Sequence, residues 1–396
     1  MSKIPEDKLK RYRDIWENHS STLNAPPNCR DYLMRMAKEK IDVVRSQNLS
    51  YFGFAKAPYS PDIENADIVI TGLGFDYGTH QETGDMRHAP QYIRFLSKNI
   101  VPVNDEMDVA PMEMCRVHDI GDINVQGLDA NDQVLYSREW AERIANAGAL
   151  LLLFGGEHGI AHAGGLHAQI MSKKYYGGRP LGGINFDGHA DMMTAADSYM
   201  PGSPYNNGNF FAMGIAEGWL DPEKFFMFGM HDWGITVPVG ASAAKEFGVK
   251  QIRPREVAEK GAQYYADMVR EAIGDSPCWL SADLDGLDTV GAAGGLSARD
   301  GFGLSWREYR TISRAFRGLN FISADISEYA PAHDITRAQG ITIANWSFEI
   351  LCMLTETKVR LNDGKFNPTE YPIKLSNSPS YFGENLLDEW EKIKAS

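Results

Sequence analysis

The sequence predicts an α/β fold, with a mostly parallel sheet and helices on both of its faces. Two observations predict it. From residue 66 onward, short and continuously apolar runs alternate with longer segments of helical period, joined by short links. Charged clusters follow several of those runs directly, at the carboxyl ends of strands where such sheets place their ligands.

The elements follow in order. Residues 1–62 form an N-terminal extension with a charged helical start at 6–17, a Pro/Asn/Ser-rich break at 24–28 and an amphipathic stretch at 32–45. The body, 63–358, begins with a buried strand at 66–72 and a short helix at 88–97. A helix at 134–147 leads into a strand at 150–154. A helix at 160–172 leads into a strand at 181–186. A strand at 225–229, a helix at 257–273 and a strand at 279–282 come next. A helix at 306–317, a strand at 321–326 and a helix at 341–357 close the body. The polar tail 359–396, with Pro and Asn breaks, reads as a second extension. No internal repeat is apparent.

Composition narrows the function. With 396 residues, one large α/β domain with extensions is the simplest division, and 43% hydrophobic residues are ample for its core. A formal charge of −14 repels phosphate backbones, so nucleic acid is not an expected partner, whereas cationic substrates and metal ions are favoured. The four cysteines, Cys29, Cys115, Cys278 and Cys352, are scattered, which fits neither a disulfide framework nor a zinc knuckle. The charged start is unlike a secretory signal and no apolar run is long enough for a bilayer, so no membrane partner and a cytoplasmic location are expected.

Three strand ends carry the chemistry. Gly155-Gly156-Glu157-His158 follows the run 150–154. Asp187-Gly188-His189-Ala190-Asp191 follows 181–186. Asp283-Leu284-Asp285-Gly286-Leu287-Asp288 follows 279–282. Unpaired carboxylates at the ends of buried strands are unfavourable, and cations relieve that cost. Asp187, Asp191, Asp283 and Asp285 balance two divalent ions, and His158 and His189 can cap one each; such oxygen and imidazole donors suit Mn²⁺ or Ni²⁺. Alternation along a strand lets Asp283 and Asp285 share a face, as Asp187, His189 and Asp191 do if extended. Two ions roughly 3.5–4 Å apart would activate a shared water and polarise an electrophile. A lone Asp-x-Asp is commonly a turn or a cap, and a lone histidine after Gly-Gly commonly packs. Three such clusters on one α/β pattern are not explained that way.

These motifs resemble those of the ureohydrolase family of arginases, agmatinases, guanidinobutyrases and guanidinases, over about residues 64–357. Gly72-Leu73-Gly74-Phe75-Asp76-Tyr77-Gly78 and the stretch from Gly84 through Arg87 and Pro90 to Arg94 are similar to the early agmatinase-type signature. Glu157 stands where the family usually has Asp. The resemblance implies an arginase-like three-layer α/β/α fold. It implies a metal pair on His158, Asp187, His189, Asp191, Asp283 and Asp285, Mn²⁺ by family habit with Ni²⁺ as the alternative, and a homo-oligomer, trimer or hexamer. Ser323-Ala324-Asp325-Ile326-Ser327-Glu328 resembles the segment that offers a carboxylate to the guanidinium, with Glu328 as the matching residue; a planar guanidinium favours such a partner.

The sequence also departs from the family. Its proton-transfer histidine falls at Asn207, in Asn207-Gly208-Asn209-Phe210-Phe211, and Asn cannot titrate. His80, His231 and His333 are the candidates to replace it, set against an ordinary surface or packing role for each. Met193 stands where arginases carry an Asn that holds the amino-acid end, which disfavours arginine. Trp219, Trp233 and Trp306 could line a pocket for a flat cation, against the commoner reading as core.

The expected activity is hydrolysis of a small guanidino compound to urea plus ammonia or an amine. Asp191 takes the proton of the attacking water, Glu328 orients the substrate, His333 is a further catalytic candidate, and Asn207 and His231 face the substrate. Guanidine or a short guanidino compound comes first, then agmatine or guanidinobutyrate. A biguanide of the metformin type, a silent partner subunit in a hetero-oligomer with an active paralogue, and a metal-dependent deacylase remain as alternatives.

Overall fold

The computed structural model describes residues 5–18, 20, 22–38, 53–76, 85–195, 204–231, 236–288, 303–362 and 385–395. Its strands are β1 Ile68–Leu73, β2 Val117–Ile123, β3 Leu150–Gly155, β4 Leu181–Phe186, β5 Leu220–Phe228, β6 Lys250–Ile252, β7 Pro277–Asp283 and β8 Asn320–Ser327. They form one sheet in the order β2-β1-β3-β8-β7-β4-β5-β6. Every pairing between them is parallel.

Strand β3 shows why the sheet has two covered faces. Its Leu150–Phe154 run is 0–1% exposed throughout. Leu150, Leu152 and Phe154 join Ile68 and Ile70 in one apolar cluster, while Leu151 and Leu153 join Val69 and Leu73 in another. Burying each such side chain stabilises the fold by about 1.5–3 kcal/mol, so a charge at Leu152 would suffice to break the layer.

The helices are α1 Glu6–Asn18, α2 Pro27–Lys38, α3 Ala89–Leu96, α4 Pro111–Met114, α5 Ala130–Ala147, α6 Ala161–Tyr175, α7 Phe210–Ala216 and α8 Thr236–Phe247. After them come α9 Pro254–Lys260, α10 Ala262–Ile273, α11 Trp306–Ala315, α12 Ala338–Leu361 and α13 Asn385–Ala395. Ile93 of α3 and Ile343 of α12 pack on one face of the sheet; Val134, Ala141 and Ile144 of α5 pack on the other. Local sequence sets the ends. Asp129 caps α5 by accepting from the Asp132 N–H, and Gly148, at φ +89°, terminates it. Ser305 and Glu308 make a capping box at the start of α11.

The predicted α/β class holds, and the sheet is wholly parallel. Several boundaries differ. The helix expected over 257–273 is two, broken at Gly261 with φ +87°. The strand expected at 225–229 starts at Leu220 and stops before Gly229, whose φ of +101° leaves the strand region. Helix α2 starts at Pro27, inside the expected break, because proline suits the first turn of a helix. The last body helix runs past its expected end to Leu361. Edge strands β2 and β6 and helices α7 and α8 were not predicted.

The outer edge of β2 is covered. Tyr59 bridges Asp119 in parallel, and the Phe54 N–H donates to Asp119 Oδ2 at 2.7 Å. Arg94 of α3 clamps the same carboxylate through Nε and Nη2 at 2.7 and 3.0 Å and also pairs with Asp122. Helix α2 packs against α4 of the body, and α13 packs against α2, so the two extensions meet. Among the described residues no helix is long and apolar enough to cross a membrane.

Candidate metal centre

Strands β3, β8, β7 and β4 are consecutive in the sheet, and the predicted site residues lie at or just beyond their carboxyl ends: His158 after β3, Glu328 after β8, Asp283 at the end of β7 and Asp187 after β4. The chain passes from β3 through α6 to β4, leaving two strand positions between them that β8 and β7 fill. Loops at such a switch diverge and open a crevice at the carboxyl ends.

The six predicted ligands converge there in two groups. His158, Asp187, Asp191 and Asp283 offer donor atoms within 4.8 Å of one another, as do Asp187, His189 and Asp285. His158 Nδ1 lies 2.8 Å from Asp191 Oδ2, 3.3 Å from Asp187 Oδ2 and 3.4 Å from Asp283 Oδ2. His189 Nδ1 lies 3.0 Å from Asp285 Oδ2 and 3.6 Å from Asp187 Oδ1. Asp187 therefore turns one oxygen to each group.

Backbone amides brace the carboxylates. The Gly188 N–H donates to Asp285 Oδ1, the His189 N–H to Asp187 Oδ1 and the Asp285 N–H to Asp283 Oδ1, at 2.6–2.9 Å. Asn185, two residues before Asp187 on β4, donates from Nδ2 to Asp187 Oδ2 at 3.1 Å. Asp191 holds a left-handed backbone at φ +44° and Glu328 one at φ +64°. Non-glycine residues hold such angles at an energetic cost, which concentrates at functional sites.

The electrostatics show what this gathering costs. Burial, then the charges of Asp285 and Asp187, hold the Asp283 carboxyl well above its ordinary pKa. Burial and Asp187 push Asp191 up to about 6. Burial, Asp285 and Glu157 raise Glu328 well above its usual range. Burial alone would lower His158 and His189, but the surrounding aspartates hold both imidazoles well above theirs. Asp285, also buried, is held down by His189. Like charges packed in a dry site raise one another in this way until cations intervene. The donor set fits a pair of divalent ions, one on each group, with Asp187 shared.

Glu328 belongs to neither group. Its backbone N–H donates to the Gly156 carbonyl at 2.7 Å, and its Oε1 accepts from the His158 N–H at 2.8 Å. Its Oε2 is buried with no hydrogen-bond partner. A buried carboxylate oxygen in that state calls for a partner, and beside the cluster a ligand can be that partner.

The remaining predicted residues are dispersed. Asn207 lies in a half-buried turn tied to the site by the Met193 N–H, which donates to the Gly208 carbonyl at 2.7 Å; Phe210, just beyond, packs 4.7 Å from the His158 ring. His231 is buried with Nε2 3.0 Å from the Asp285 carbonyl oxygen, and its backbone N–H donates to the Gly188 carbonyl, so it links two loops of the cluster. His333 is exposed in a one-turn helix and makes none of the cluster's hydrogen bonds or ion pairs. His80 and Trp233 lie outside the described residues.

Two tryptophans do not line this site. Trp219 packs against Trp279, with ring centroids 6.2 Å apart. Trp306 meets Tyr309 and Trp346 edge-on and donates to Gln339 Oε1. It lines a separate cavity of about 820 Å³ that includes no cluster residue. Both rings satisfy apolar packing, which outweighs any pull toward a cation site at their positions.

Sequence reasoning left Asn185, Ser281 and Asp325 without roles. Each sits on a strand shortly before a site residue, and period-2 alternation was the available signal for Asn185 and Ser281.

A family model for the arginase family matches residues 66–352. Guanidinopropionase of Pseudomonas aeruginosa is 30% identical over 307 residues, covering 78% of this chain and 92% of its own. Guanidinobutyrase of the same organism is 29% identical over 293 residues, covering 74% and 88%. Among solved structures, the proclavaminate amidino hydrolase of Streptomyces clavuligerus superposes with a TM-score of 0.69 at 26% identity, covering 77% of this chain and 97% of that one.

Proposed function

The chain belongs to the arginase family of hydrolases acting on the C–N bonds of guanidino compounds, and we propose that it cleaves a small one to urea plus ammonia or an amine. The observation that carries the reading is the unpartnered Oε2 of Glu328 beside two metal-ligating groups that share Asp187.

Glu328 Oε2 receives an N–H of the guanidinium and places its central carbon over the cluster. A charged hydrogen bond of this kind contributes about 1.5–3 kcal/mol, more than enough to set the orientation. His158, Asp187, Asp191 and Asp283 would hold one divalent ion and Asp187, His189 and Asp285 the other; such a pair would acidify water and polarise an electrophile. Asp191, whose side chain is 16% exposed against 5% or less for His158, Asp187 and Asp283, accepts the proton of the attacking water. Addition of water to the carbon and loss of one nitrogen with a proton balance the reaction as urea plus ammonia or an amine. Asn207 cannot shuttle that proton. It passes back from Asp191 to the leaving nitrogen.

Guanidine or a short guanidino compound is the favoured substrate. Support comes from Met193, 8% exposed and packed on the Asn207–Gly208 turn, where an amino-acid end would need a polar contact. Agmatine and guanidinobutyrate come next. Oxygen-rich donors favour Mn²⁺, with Ni²⁺ the alternative.

The test is urea release by the purified chain loaded separately with Mn²⁺ and Ni²⁺. The substrates are guanidine, agmatine, guanidinobutyrate, arginine and a dimethylbiguanide. Urea from one short substrate supports the reading, and turnover of the biguanide alone replaces it. No product despite two bound ions rejects a stand-alone enzyme and leaves a silent subunit of a hetero-oligomer.

A further inference from the structure

Helix α6 begins with a histidine that the reaction does not use. His162 lies four residues after His158 and is 3% exposed. Its Nε2 is 2.9 Å from the carbonyl oxygen of Asn206, in the turn at 204–209 that carries Asn207. A carbonyl oxygen only accepts, so Nε2 carries the N–H and donates. Burial pushes this imidazole down to about 3, so it stays neutral and keeps donating across the neutral pH range.

The turn makes its own bonds. The Gly208 N–H donates to Asn206 Oδ1 at 2.8 Å, the Asn206 N–H to Asn209 Oδ1 at 3.3 Å, and Asn209 Nδ2 to the Pro204 carbonyl at 2.8 Å. Those bonds set its shape, and contacts with the body set its place. On the cluster side, the Met193 N–H donates to the Gly208 carbonyl at 2.7 Å. On the helix side stands His162, whose ring meets Tyr205 at 5.0 Å and Phe210 at 5.5 Å, both edge-on. Arg138 of α5 lies over the Tyr205 ring at 5.2 Å and donates from Nη1 to the His162 carbonyl at 3.4 Å.

We propose that His162 is a positioning residue that pins the Asn207 turn against the metal cluster and so restricts the site to short guanidino compounds. The inference rests on the guanidino-hydrolase reading above. Asn207 directly follows the anchored carbonyl, and Met193 packs on the same turn. With the anchor slack the turn can withdraw from the cluster, and the room gained favours a longer substrate over a short one. The Asn206 carbonyl is also left buried without its donor, so the turn gains by moving toward water.

Two readouts on the Mn²⁺-loaded protein test this: hydrogen exchange of the 204–210 amides, and the ratio of kcat/KM for guanidine to that for agmatine. His162→Leu is expected to speed exchange in 204–210 and to lower the ratio about tenfold. Metal content should stay unchanged, because His162 is in neither ligand group. His162→Gln, which can place an N–H₂ near the Nε2 position, is expected to restore both readouts. Asn209→Ala loses two bonds of the turn and is expected to act as His162→Leu does, which covers the case in which His162→Leu fails to fold. Wild-type exchange and ratio in a folded His162→Leu or Asn209→Ala overturn the proposal. So does an equal loss on both substrates, or a loss of metal, since His162 would then act by packing near His158. Exchange needs no turnover. If the wild type releases urea from no substrate, the guanidino-hydrolase reading falls and the specificity claim with it, while exchange still decides whether His162 holds the turn.

Discussion

Glu328→Gln separates two consequences that a carboxylate at this position has at once. Glutamine is nearly isosteric, and its Oε1 can keep the bond from the His158 N–H, 2.8 Å long in the structure. What changes is Oε2, buried and without a partner, which becomes an amide N–H₂. Facing a guanidinium, that group presents hydrogens to hydrogens. One charged hydrogen bond worth about 1.5–3 kcal/mol is lost, which predicts a fall in kcat/KM of about 10- to 150-fold, carried mainly by KM. In the metal-free protein the effect reverses. Glu328 sits near Asp285 and Glu157, which help to raise its pKa. Replacing an unsatisfied buried carboxylate with a neutral amide should then stabilise the fold by about 1–3 kcal/mol. Steady-state kinetics of the loaded enzyme, metal analysis and melting of the metal-free form measure the three effects. The metal content should stay at the wild-type level, because Glu328 is in neither ligand group. A loss of kcat/KM smaller than about threefold, under 1 kcal/mol, would refute the orienting role. A lowered metal-free melting temperature would refute the electrostatic account.

Other outcomes follow from the same geometry. Asp191 and Asp325 are raised to about 6, so the folded metal-free chain binds their protons more tightly than the unfolded chain does. Their contribution to stability is full below the ordinary carboxylate pKa and is lost as pH rises through about 6. Metal binding needs deprotonated ligands, so the melting-temperature gap between loaded and chelated protein should widen from pH 5 to pH 8; a flat or narrowing gap would contradict this. Gly156→Ala places a Cβ 1.7 Å from the Phe75 carbonyl oxygen, backbone against backbone, and should abolish metal binding even in any soluble fraction. Arg94→Lys replaces a two-pronged clamp on the buried Asp119 by a single charge and should destabilise the fold by about 3 kcal/mol in denaturant melts, with metal affinity unchanged.

The site was largely legible because chemistry and position coincide in it. Charged residues soon after mainly apolar strands such as 150–154 and 181–186 have few structural uses, and all six metal-ligand candidates came together. Elements that lack that contrast stayed hidden. Strand β2 mixes His118, Asp119 and Asp122 with its apolar residues because it lies near the edge, and β6 has only three residues. Gly261 sits inside a helical pattern, and nothing in the local sequence marks its φ as positive. Asp325 reads as part of a motif, yet it accepts a hydrogen bond from Ser281 in the neighbouring strand, a pairing no local pattern encodes. Tryptophans 219 and 306 were ambiguous for a related reason: a large ring is equally at home on a cation or in a core, and only neighbours decide.

The gap between β3 and β4 bears on how the molecule comes into being. During synthesis the chain delivers His158, Asp187, His189 and Asp191 well before residues 277–327, which supply the two strands lying between their carriers. Until that late segment arrives, β3 and β4 each have one raw edge and nothing to hold them side by side. Four of the six candidate ligands therefore exist on the nascent polypeptide without a centre for them to form. Assembly of the ion-binding crevice and closure of the sheet are one event, set by the C-terminal third, so a prematurely ended chain has neither.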